Sequence, residues 1–307
     1  MKSDFLRTTS LKSQIAYYTY QVAEFQPTPE PSAEDLSNFE HLLGDEATYP
    51  LGDTRFRVDH GRDYLGFFRR IGDTVLYRTA RDPSAGGSGG GQGGIVGTAC
   101  ALLRNVPGDS SGDKAWYIGD LRVAPSHRGR HLTEEMFSPI VEPMLKRCGS
   151  AFAVEMVPTP DAPGRMPRLV QACRPDLPVA VCRLELWSLS ATAVRRQWSE
   201  ISKPHGGPEH ATFLDLSGVK DLRLVDSGEA LRVLHLIDRR SLKPGDRESP
   251  EPEEGARHLL CSASDGMSGS GLGDVLRANG NTPFAYALAV HVGLDGVMWE
   301  SLSTAEI

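Results

Sequence analysis

The stretch from Trp116 to Cys148 constrains the fold more than any other part of this chain. The apolar run from Trp116 to Val123 predicts a buried strand, a basic turn follows it, and the residues from His131 to Cys148 predict a helix. This order gathers the main-chain N–H groups of the helix start in one place. Because the N-terminal end of a helix carries partial positive charge, the stretch predicts a phosphate-binding site at that turn.

The elements around this stretch predict an α/β chain that alternates strands and helices. Ser32, followed by Glu34 and Asp35, resembles a capping box that opens a helix. In chain order we expect a strand, two helices, three strands, a helix, a strand, a helix and a strand. Besides the two elements given above, their expected positions are 14–25, 32–43, 62–71, 75–79, 95–104, 151–157, 168–173 and 179–189.

The turn carries the motif Arg128-Gly129-Arg130-His131-Leu132-Thr133, and the strand before it ends in Leu121-Arg122-Val123-Ala124-Pro125. Together they resemble the coenzyme A pyrophosphate motif of the GCN5-related N-acetyltransferase (GNAT) superfamily. The resemblance covers roughly residues 14–191. It implies a GNAT fold, in which a mixed, mostly antiparallel central sheet is flanked by helices, and acetyl-CoA or another acyl-CoA as co-substrate.

The same resemblance implies which residues hold the acyl-CoA. Main-chain N–H groups at a helix start bind a pyrophosphate without loss of side-chain entropy. The amide of Val123 is expected near the thioester carbonyl, where it stabilises an oxyanion. The expected cofactor-binding residues are Leu121, Arg122, Val123, Arg128, Gly129, Arg130, His131, Leu132 and Thr133.

Two positions depart from the family pattern. His131 and Thr133 stand where the family has the two glycines of its motif. A glycine lets the backbone approach the phosphate closely, and histidine narrows that approach. A protonated imidazole at His131 and the hydroxyl of Thr133 offer contacts to phosphate in return.

Two carboxylates are candidates for taking a proton from the attacking amine. Asp120 lies on the motif strand three residues before Val123, and Glu155 lies in the apolar run of the next expected strand. A carboxylate near the cleft can act as general base, directly or through water. The alternative for each is a structural carboxylate that is paired or capped. No tyrosine between Pro158 and Trp187 stands ready to protonate the leaving thiolate.

The division expected along the chain is a GNAT-like acyl-CoA-binding domain at 1–193 and a smaller C-terminal α+β module at 194–307. The module is open to interpretation as a degenerate partial repeat of the first fold. Within it, Ser227 to Leu236 predicts a helix, and Tyr286 to Val292 with Gly296 to Leu302 predicts a closing hairpin.

Composition narrows the classes of partner. The formal net charge of −7 argues against a nucleic-acid binder, and no apolar run is long enough to span a membrane. The five scattered cysteines give no zinc-site spacing, so we expect no metal. We expect a cytoplasmic protein that acts on a small-molecule or peptide amine, and a homodimer is left open.

Two functions follow from these observations. The first is an N-acyltransferase, in particular an N-acetyltransferase, in which an amine attacks the thioester of acyl-CoA directly. The alternative is a catalytically degenerate GNAT-like binding or regulatory protein that senses CoA or another ligand. The departures at His131 and Thr133 motivate the alternative.

Overall fold

The computed structural model describes residues 16–21, 31–44, 48–51, 54–61, 63–85, 93–106, 112–264 and 271–307. The helices among them are α1 (Ala33–Leu43), α2 (Tyr64–Ile71), α3 (Leu132–Arg147), α4 (Met166–Cys173), α5 (Ala191–Ile201) and α6 (Leu272–Ala278). The strands of the first half are β1 (Ala16–Gln21), β2 (Thr48–Leu51), β3 (Thr54–Asp59), β4 (Thr74–Asp82), β5 (Gly94–Asn105), β6 (Lys114–Val123), β7 (Ala151–Val157) and β8 (Ala180–Leu189). Those of the second half are β9 (Ala211–Asp215), β10 (Asp221–Leu224), β11 (Ala230–Leu231), β12 (Val233–Asp238), β13 (Arg247–Ser249), β14 (Arg257–Ala263) and β15 (Ala285–Val292).

The first two helices begin at side-chain caps that the sequence provides. Ser32 Oγ accepts the Asp35 N–H at 3.0 Å, which confirms the predicted start of α1. Asp63 caps α2 by accepting the Gly66 N–H at 2.9 Å. Such caps satisfy N–H groups that a helix leaves without partners. Both helices then bury apolar faces, among them Phe39 of α1 and Phe68 of α2.

Eleven of the described strands form one sheet in the order β1-β4-β5-β6-β7-β15-β8-β14-β12-β9-β13. Neighbouring strands run antiparallel throughout this sheet except for β6 with β7 and β12 with β14. Up to β8 the elements follow the predicted order, except that β2 and β3, which the sequence did not predict, lie between α1 and α2. The predicted fold class, a mixed and mostly antiparallel sheet flanked by helices, is confirmed.

The two halves of the chain exchange strands within this sheet. β15, near the C-terminus, lies between β7 and β8, and it pairs antiparallel with both along most of its length. β8 in turn pairs with β14 of the second half. One large core of buried residues draws on both halves, from Trp116 on β6 to Leu214 on β9 and Trp299. The predicted division at 193/194 falls within α5, which connects β8 and β9 of this one sheet.

A smaller four-stranded sheet joins the halves a second time. β3, between α1 and α2, pairs antiparallel with β10, and β2 and β11 flank them. Arg223 of β10 bridges this pair because its Nε lies 2.8 Å from Asp59 Oδ2. The segment between α1 and α2 is thereby fixed to the second half of the chain.

Two predictions in the second half are wrong. Residues predicted as a helix at 227–236 instead contain β11 and most of β12. Val233 to Ile237 are all buried between β9 and β14, and pairing on both edges outweighs the helix-like spacing. The second strand of the predicted hairpin is instead a turn of 3₁₀ helix at Trp299–Ser301, because Trp299 packs on Phe152 and His291.

Candidate functional site

A β-bulge interrupts β6 in the middle of the predicted motif. Thr98 of β5 pairs with Arg122, and Cys100 pairs with Gly119, so one residue of β5 faces both Asp120 and Leu121. Asp120 has φ = 49°, a left-handed value that residues other than glycine rarely adopt. Thr98 Oγ1 supports it by donating to the Asp120 carbonyl at 2.8 Å. The bulge bends the end of β6.

β6 separates from β7 just before the bulge. Within the described residues these two strands pair only at Trp116–Ile118 with Ala151–Ala153, although β6 continues to Val123 and β7 to Val157. Each strand stays paired on its other edge, β6 with β5 and β7 with β15. A V-shaped gap, the β6/β7 opening, therefore begins after Ile118 and Ala153.

Main-chain amides of β6 point into this opening. Ala124 N–H donates to Val96 O at 2.9 Å, toward β5. Because successive N–H groups of a strand point to opposite edges, the Val123 N–H is directed away from β5, and the Leu121 N–H shares its direction. The amide that the sequence predicts for the thioester carbonyl thus faces the opening.

The turn after β6 presents the start of α3 at the wide end of the opening. Gly129 and His131 have φ = 71° and 59°, and His131 precedes the first residue of α3. In the described part of the chain, no side-chain hydrogen bond caps α3 at His131. Its first-turn N–H groups are therefore left to bind solvent or an anion. The left-handed backbone at His131 is one that glycine adopts without strain, which accounts for the glycine of the family motif.

The charged side chains of this turn are partly engaged with the turn itself. Arg128 Nε donates to Val123 O at 3.2 Å, and an Arg130 terminal nitrogen donates to Ser126 O at 3.1 Å. The imidazole of His131 contacts the carboxylate of Glu134 in the first turn of α3. The predicted residues from Arg128 to Thr133 are therefore brought together around one helix start, with a carboxylate among them.

Asp120 lies in a buried polar cluster to which α1, α2, β4 and β6 each contribute side chains. We call Glu40, Tyr64, Tyr77, Asp120 and Arg122 the Asp120 cluster. Asp120 Oδ1 accepts from the Tyr64 hydroxyl at 2.8 Å, and Oδ2 accepts from the Tyr77 hydroxyl at 2.5 Å. Arg122 forms an ion pair with Oδ1 at 2.6 Å, and the Asp120 side chain is only 5% exposed. Asp120 is thus a paired carboxylate, and its role as a base stays a prediction.

Glu40 is the more accessible carboxylate of the cluster. Its Oε1 lies 2.5 Å from Arg122, and its side chain is 31% exposed. Burial raises the pKa of Glu40 in spite of the neighbouring guanidinium. Burial also raises the pKa values of Tyr64 and Tyr77 well above their usual range, so both hydroxyls stay protonated and donate to Asp120.

Glu155, the second predicted base, holds the start of α4. Its carboxylate accepts the N–H groups of Arg165 at 2.7 Å and Met166 at 2.9 Å. A side chain on Gly164 would collide with this carboxylate, since a Cβ there would lie 2.7 Å from Glu155 Oε2. The contact fixes α4 against β7, and Glu155 acts here as a cap from a neighbouring strand.

The sequence did not reveal the partners of Asp120. Tyr77 faces Cys100 across β4 and β5, and Cys100 faces Gly119 next to Asp120. Only the register of three strands brings Tyr77 to Asp120, and only the packing of α2 brings Tyr64. Tyr117, which also neighbours the motif, donates instead to the carbonyl of Glu306 at 2.6 Å.

Other features of the described residues concern metals and membranes. No group of histidine, cysteine and acidic side chains in the described ranges has the arrangement of a metal site. All five cysteines are free thiols. Among the helices given above, none is long and apolar enough to cross a membrane.

Comparison with known proteins gives similar structures and no similar sequences. No family model matches the chain, and no curated protein matches it. The tandem GNAT protein from the clavulanic acid biosynthesis pathway is similar at a TM-score of 0.42 and 12% identity, covering 90% of this chain and 98% of that protein. A Trypanosoma brucei acetyltransferase is similar at a TM-score of 0.33 and 16% identity, covering 52% of this chain and 91% of that one.

Arabidopsis thaliana NAA60 in complex with acetyl-CoA gives a TM-score of 0.34 and 14% identity, covering 56% of this chain and 88% of that one. At these TM-scores and sequence identities, residue roles in those proteins are not assigned to residues of this chain. The chain resembles GNAT acetyltransferases among solved structures, as its sequence predicts.

Proposed function

We propose that this protein transfers an acyl group from acyl-CoA to an amine. One observation carries the proposal: the bulge at Asp120, the β6/β7 opening and the uncapped start of α3 adjoin one another. An acyl-CoA has a pyrophosphate at one end of its arm and a thioester at the other. The start of α3 suits the pyrophosphate, and the amides of Leu121 and Val123, which face the opening, suit the thioester end of the arm.

In this proposal the Asp120 cluster handles the proton of the amine. An amine arrives as an ammonium ion and gives one proton to the Tyr64 hydroxyl, which passes its own proton to Asp120 along their 2.8 Å hydrogen bond. Glu155 lies outside this relay, because its carboxylate holds the main-chain N–H groups of Arg165 and Met166 at the start of α4. Its contribution is to position α4 beside the opening.

The neutral amine nitrogen then attacks the thioester carbonyl carbon. A C–N bond forms, and the oxyanion that develops accepts the Val123 N–H. When the intermediate collapses, the C–S bond breaks and the thiolate leaves with the electron pair. The second amine proton goes to the thiolate, which gives an amide and free CoA, and Asp120 returns its proton to solvent.

Calorimetry with acetyl-CoA and free CoA tests the donor site. Arg128→Glu places a negative charge at the start of α3, so we expect wild-type binding that weakens at least tenfold in this variant. Arg196→Glu is the matched control, because it makes the same change on the exposed side of α5. Equal affinity in the three proteins would remove the α3 turn from the proposal.

The reaction itself is tested by release of free CoA thiol with a panel of amines. Asp120→Asn should lower kcat/KM about 10²- to 10⁴-fold without weakening acetyl-CoA binding. Since Asp120 is buried in an ion pair, Tyr64→Phe serves as a second variant that keeps the ring. Tight CoA binding by the wild type with no turnover of any amine would point instead to a protein that senses CoA.

A further inference from the structure

The Asp120 cluster lies on one face of the large sheet, and strand register shows which other side chains share that face. Successive side chains of a strand point to opposite faces, and directly paired residues point to the same face. Tyr117 of β6 pairs with Phe152 of β7. Tyr117 and Arg122 pair with Leu102 and Thr98, which are an even number of residues apart on β5. Arg122 and its partners in the cluster therefore lie on the same face as Phe152.

Two apolar side chains of β7 lie on that face beside the β6/β7 opening. Val154 and Met156 follow Phe152 in steps of two, whereas Glu155 between them points to the other face, where it holds α4. Phe152 is 1% exposed, but Val154 and Met156 are only half-buried. Their exposure begins where pairing with β6 ends, at Ala153. The opening thus has an apolar wall on the face that carries the Asp120 cluster.

This wall stands directly across the opening from the amide proposed for the thioester. β6 and β7 last pair at Ile118 and Ala153. Met156 is three residues further along β7, and Arg122 is four residues further along β6, one of which is the extra residue of the bulge. Met156 therefore faces Arg122 across the gap, and Val123 follows Arg122. An acceptor that lies on Met156 reaches the thioester across the gap, without running along the strands.

Tyr49 of β2 adds an aromatic ring above this wall. Tyr49 pairs with Phe56, their ring centroids are 5.6 Å apart, and both belong to an apolar cluster with Leu259 of β14. Burial raises the pKa of Tyr49, and the charges of the Asp120 cluster also act on it, so its hydroxyl stays protonated close to that cluster. The smaller sheet thereby brings a half-buried ring to the same side of the opening.

Glu40 supplies a negative charge next to the apolar side chains. Two carboxylates, of Asp120 and Glu40, contact the one guanidinium of Arg122, so a negative charge is left over. Glu40 is 31% exposed, and its second oxygen has no hydrogen bond to any described residue. Arg122 contacts Glu40 through one terminal nitrogen and the Tyr64 hydroxyl through the other. An ammonium group at Glu40 therefore lies next to the proposed proton relay.

We propose that the acceptor is a primary amine on an apolar body, an arylalkyl amine, whose ring lies against Val154 and Met156 and whose ammonium group meets Glu40. The inference rests on the proposed function and names the class of amine that it takes. An amino sugar or a polyamine would place hydroxyl or further ammonium groups against the apolar wall, where they lose their hydrogen bonds to water.

Release of CoA thiol from acetyl-CoA tests this preference with 2-phenylethylamine and ethanolamine. Both are primary amines on the same short chain, and they differ in a phenyl ring against a hydroxyl group. Burial of the ring should raise kcat/KM about 10- to 100-fold over ethanolamine. Met156→Gln should lower this ratio about fivefold and leave acetyl-CoA affinity unchanged. Met298→Gln is the matched control, because it makes the same change at a methionine that is 41% exposed after β15.

Calorimetry on the CoA-saturated protein separates the ammonium group from the ring without turnover. 2-Phenylethanol keeps the ring and lacks the ammonium group. Glu40→Gln should weaken binding of 2-phenylethylamine about tenfold and leave 2-phenylethanol unchanged, whereas Met156→Gln should weaken both. Glu229→Gln, at an exposed position just before β11, is the matched control for the lost charge and should change neither.

The outcomes separate this inference from the proposed function. Turnover of both amines at equal kcat/KM, or a ratio that Met156→Gln leaves unchanged, would overturn the apolar acceptor site and keep acyl transfer. A CoA-saturated protein that binds neither phenyl compound would also overturn the site. Binding in the expected pattern without turnover of any amine would support the site and overturn the transfer. No binding of CoA by the wild type would overturn both.

Discussion

The two parallel strand pairs of the large sheet, β6/β7 and β12/β14, differ in what packs next to them. β12 and β14 pair at Val233–His235 with Arg257–Leu259, over as many positions as β6 and β7. There, however, the C-terminal segment Trp299–Ile307 packs on both strands. His235 Nδ1 lies 2.9 Å from Thr304 Oγ1, and Cys261 contacts the carbonyl of Trp299.

The connections differ as well. α3 follows β6, whereas β12 is followed, within the described residues, by the 3₁₀ turn Arg239–Ser241 and β13 before β14. The second pair therefore has neither a long helix start for a phosphate nor an empty gap. In our proposal the strand arrangement of the first pair serves a ligand, whereas that of the second pair forms part of the core.

Removing the Trp299 ring from the C-terminal segment should have the largest effect on stability. Trp299 is 3% exposed, its carbonyl contacts Cys261 of β14, and its ring packs on Phe152 of β7 and His291 of β15. We expect Trp299→Ala to lower the free energy of unfolding by about 3–5 kcal/mol through the cavity it leaves. Denaturant unfolding measures this loss. A change below about 1 kcal/mol would mean that the segment does not pack on the sheet in solution.

Acid should weaken the second pair through His235. Burial, with smaller effects of Lys220 and Arg70, lowers the pKa of His235 to about 3. In the unfolded chain its pKa is about 6.5, so the unfolded state binds the additional proton between these values and stability falls as pH falls through that window.

From pH 7 to pH 5 this one residue should cost about 2 kcal/mol. Urea unfolding at both pH values, in the wild type and in His235→Gln, isolates its contribution. The variant should lose about 2 kcal/mol less than the wild type over this interval. Identical losses would show that His235 is not held neutral by the fold.

Next to the first pair, β6/β7, a change of charge at the start of α3 should alter the affinity for CoA. Glu134 lies in the first turn of α3 and contacts His131, so its charge opposes an anion at the helix start. Glu134→Gln should tighten CoA binding by two- to fivefold, corresponding to about 0.4–1 kcal/mol, and most clearly at low salt. Weaker binding in the variant would mean that Glu134 helps to build the site.

Truncation on α4 should have the smallest effect on stability. Leu169 is half-buried there, so Leu169→Ala should change the unfolding free energy by no more than about 0.5 kcal/mol. Denaturant unfolding measures the change, and a loss above about 2 kcal/mol would identify α4 as part of the core.

The sequence predicts the local part of the site well. The strand that ends at Val123, the glycine turn and a helix expected from His131 all appear, with α3 starting at Leu132. These features depend on neighbouring residues, so apolar runs and turn residues are enough to find them. The bulge at Asp120 left no such signal, because it arises from one residue fewer on β5.

The non-local part of the site could not be predicted in this way. Tyr64 is 56 residues from Asp120 along the chain, and Tyr77 is 43 residues away. Their meeting depends on strand register and helix packing, which apolar periodicity does not encode. The sequence identifies Asp120 and Glu155 as candidate bases from their residue type and position. The groups that each carboxylate contacts, which decide its role, are visible only in the structure.

The division into two domains stays a prediction. The polar break near residue 194 predicts the division at 193/194, but β15 returns from the second half to lie between β7 and β8. A truncation after Ser190 would remove a strand of the sheet along with the second half. Substitutions within the second half are therefore a better test of its function than its removal.

The position of β15 also governs when this chain can fold. β7 is complete at Val157, yet its neighbour on one edge ends only at Val292. Synthesis adds about 5–20 residues per second, so β7 and β8 wait on the order of ten seconds for the strand between them. Closing contacts so distant in sequence is slow. The nascent chain thus displays unpaired strand edges, and a chaperone that covers them should raise its yield.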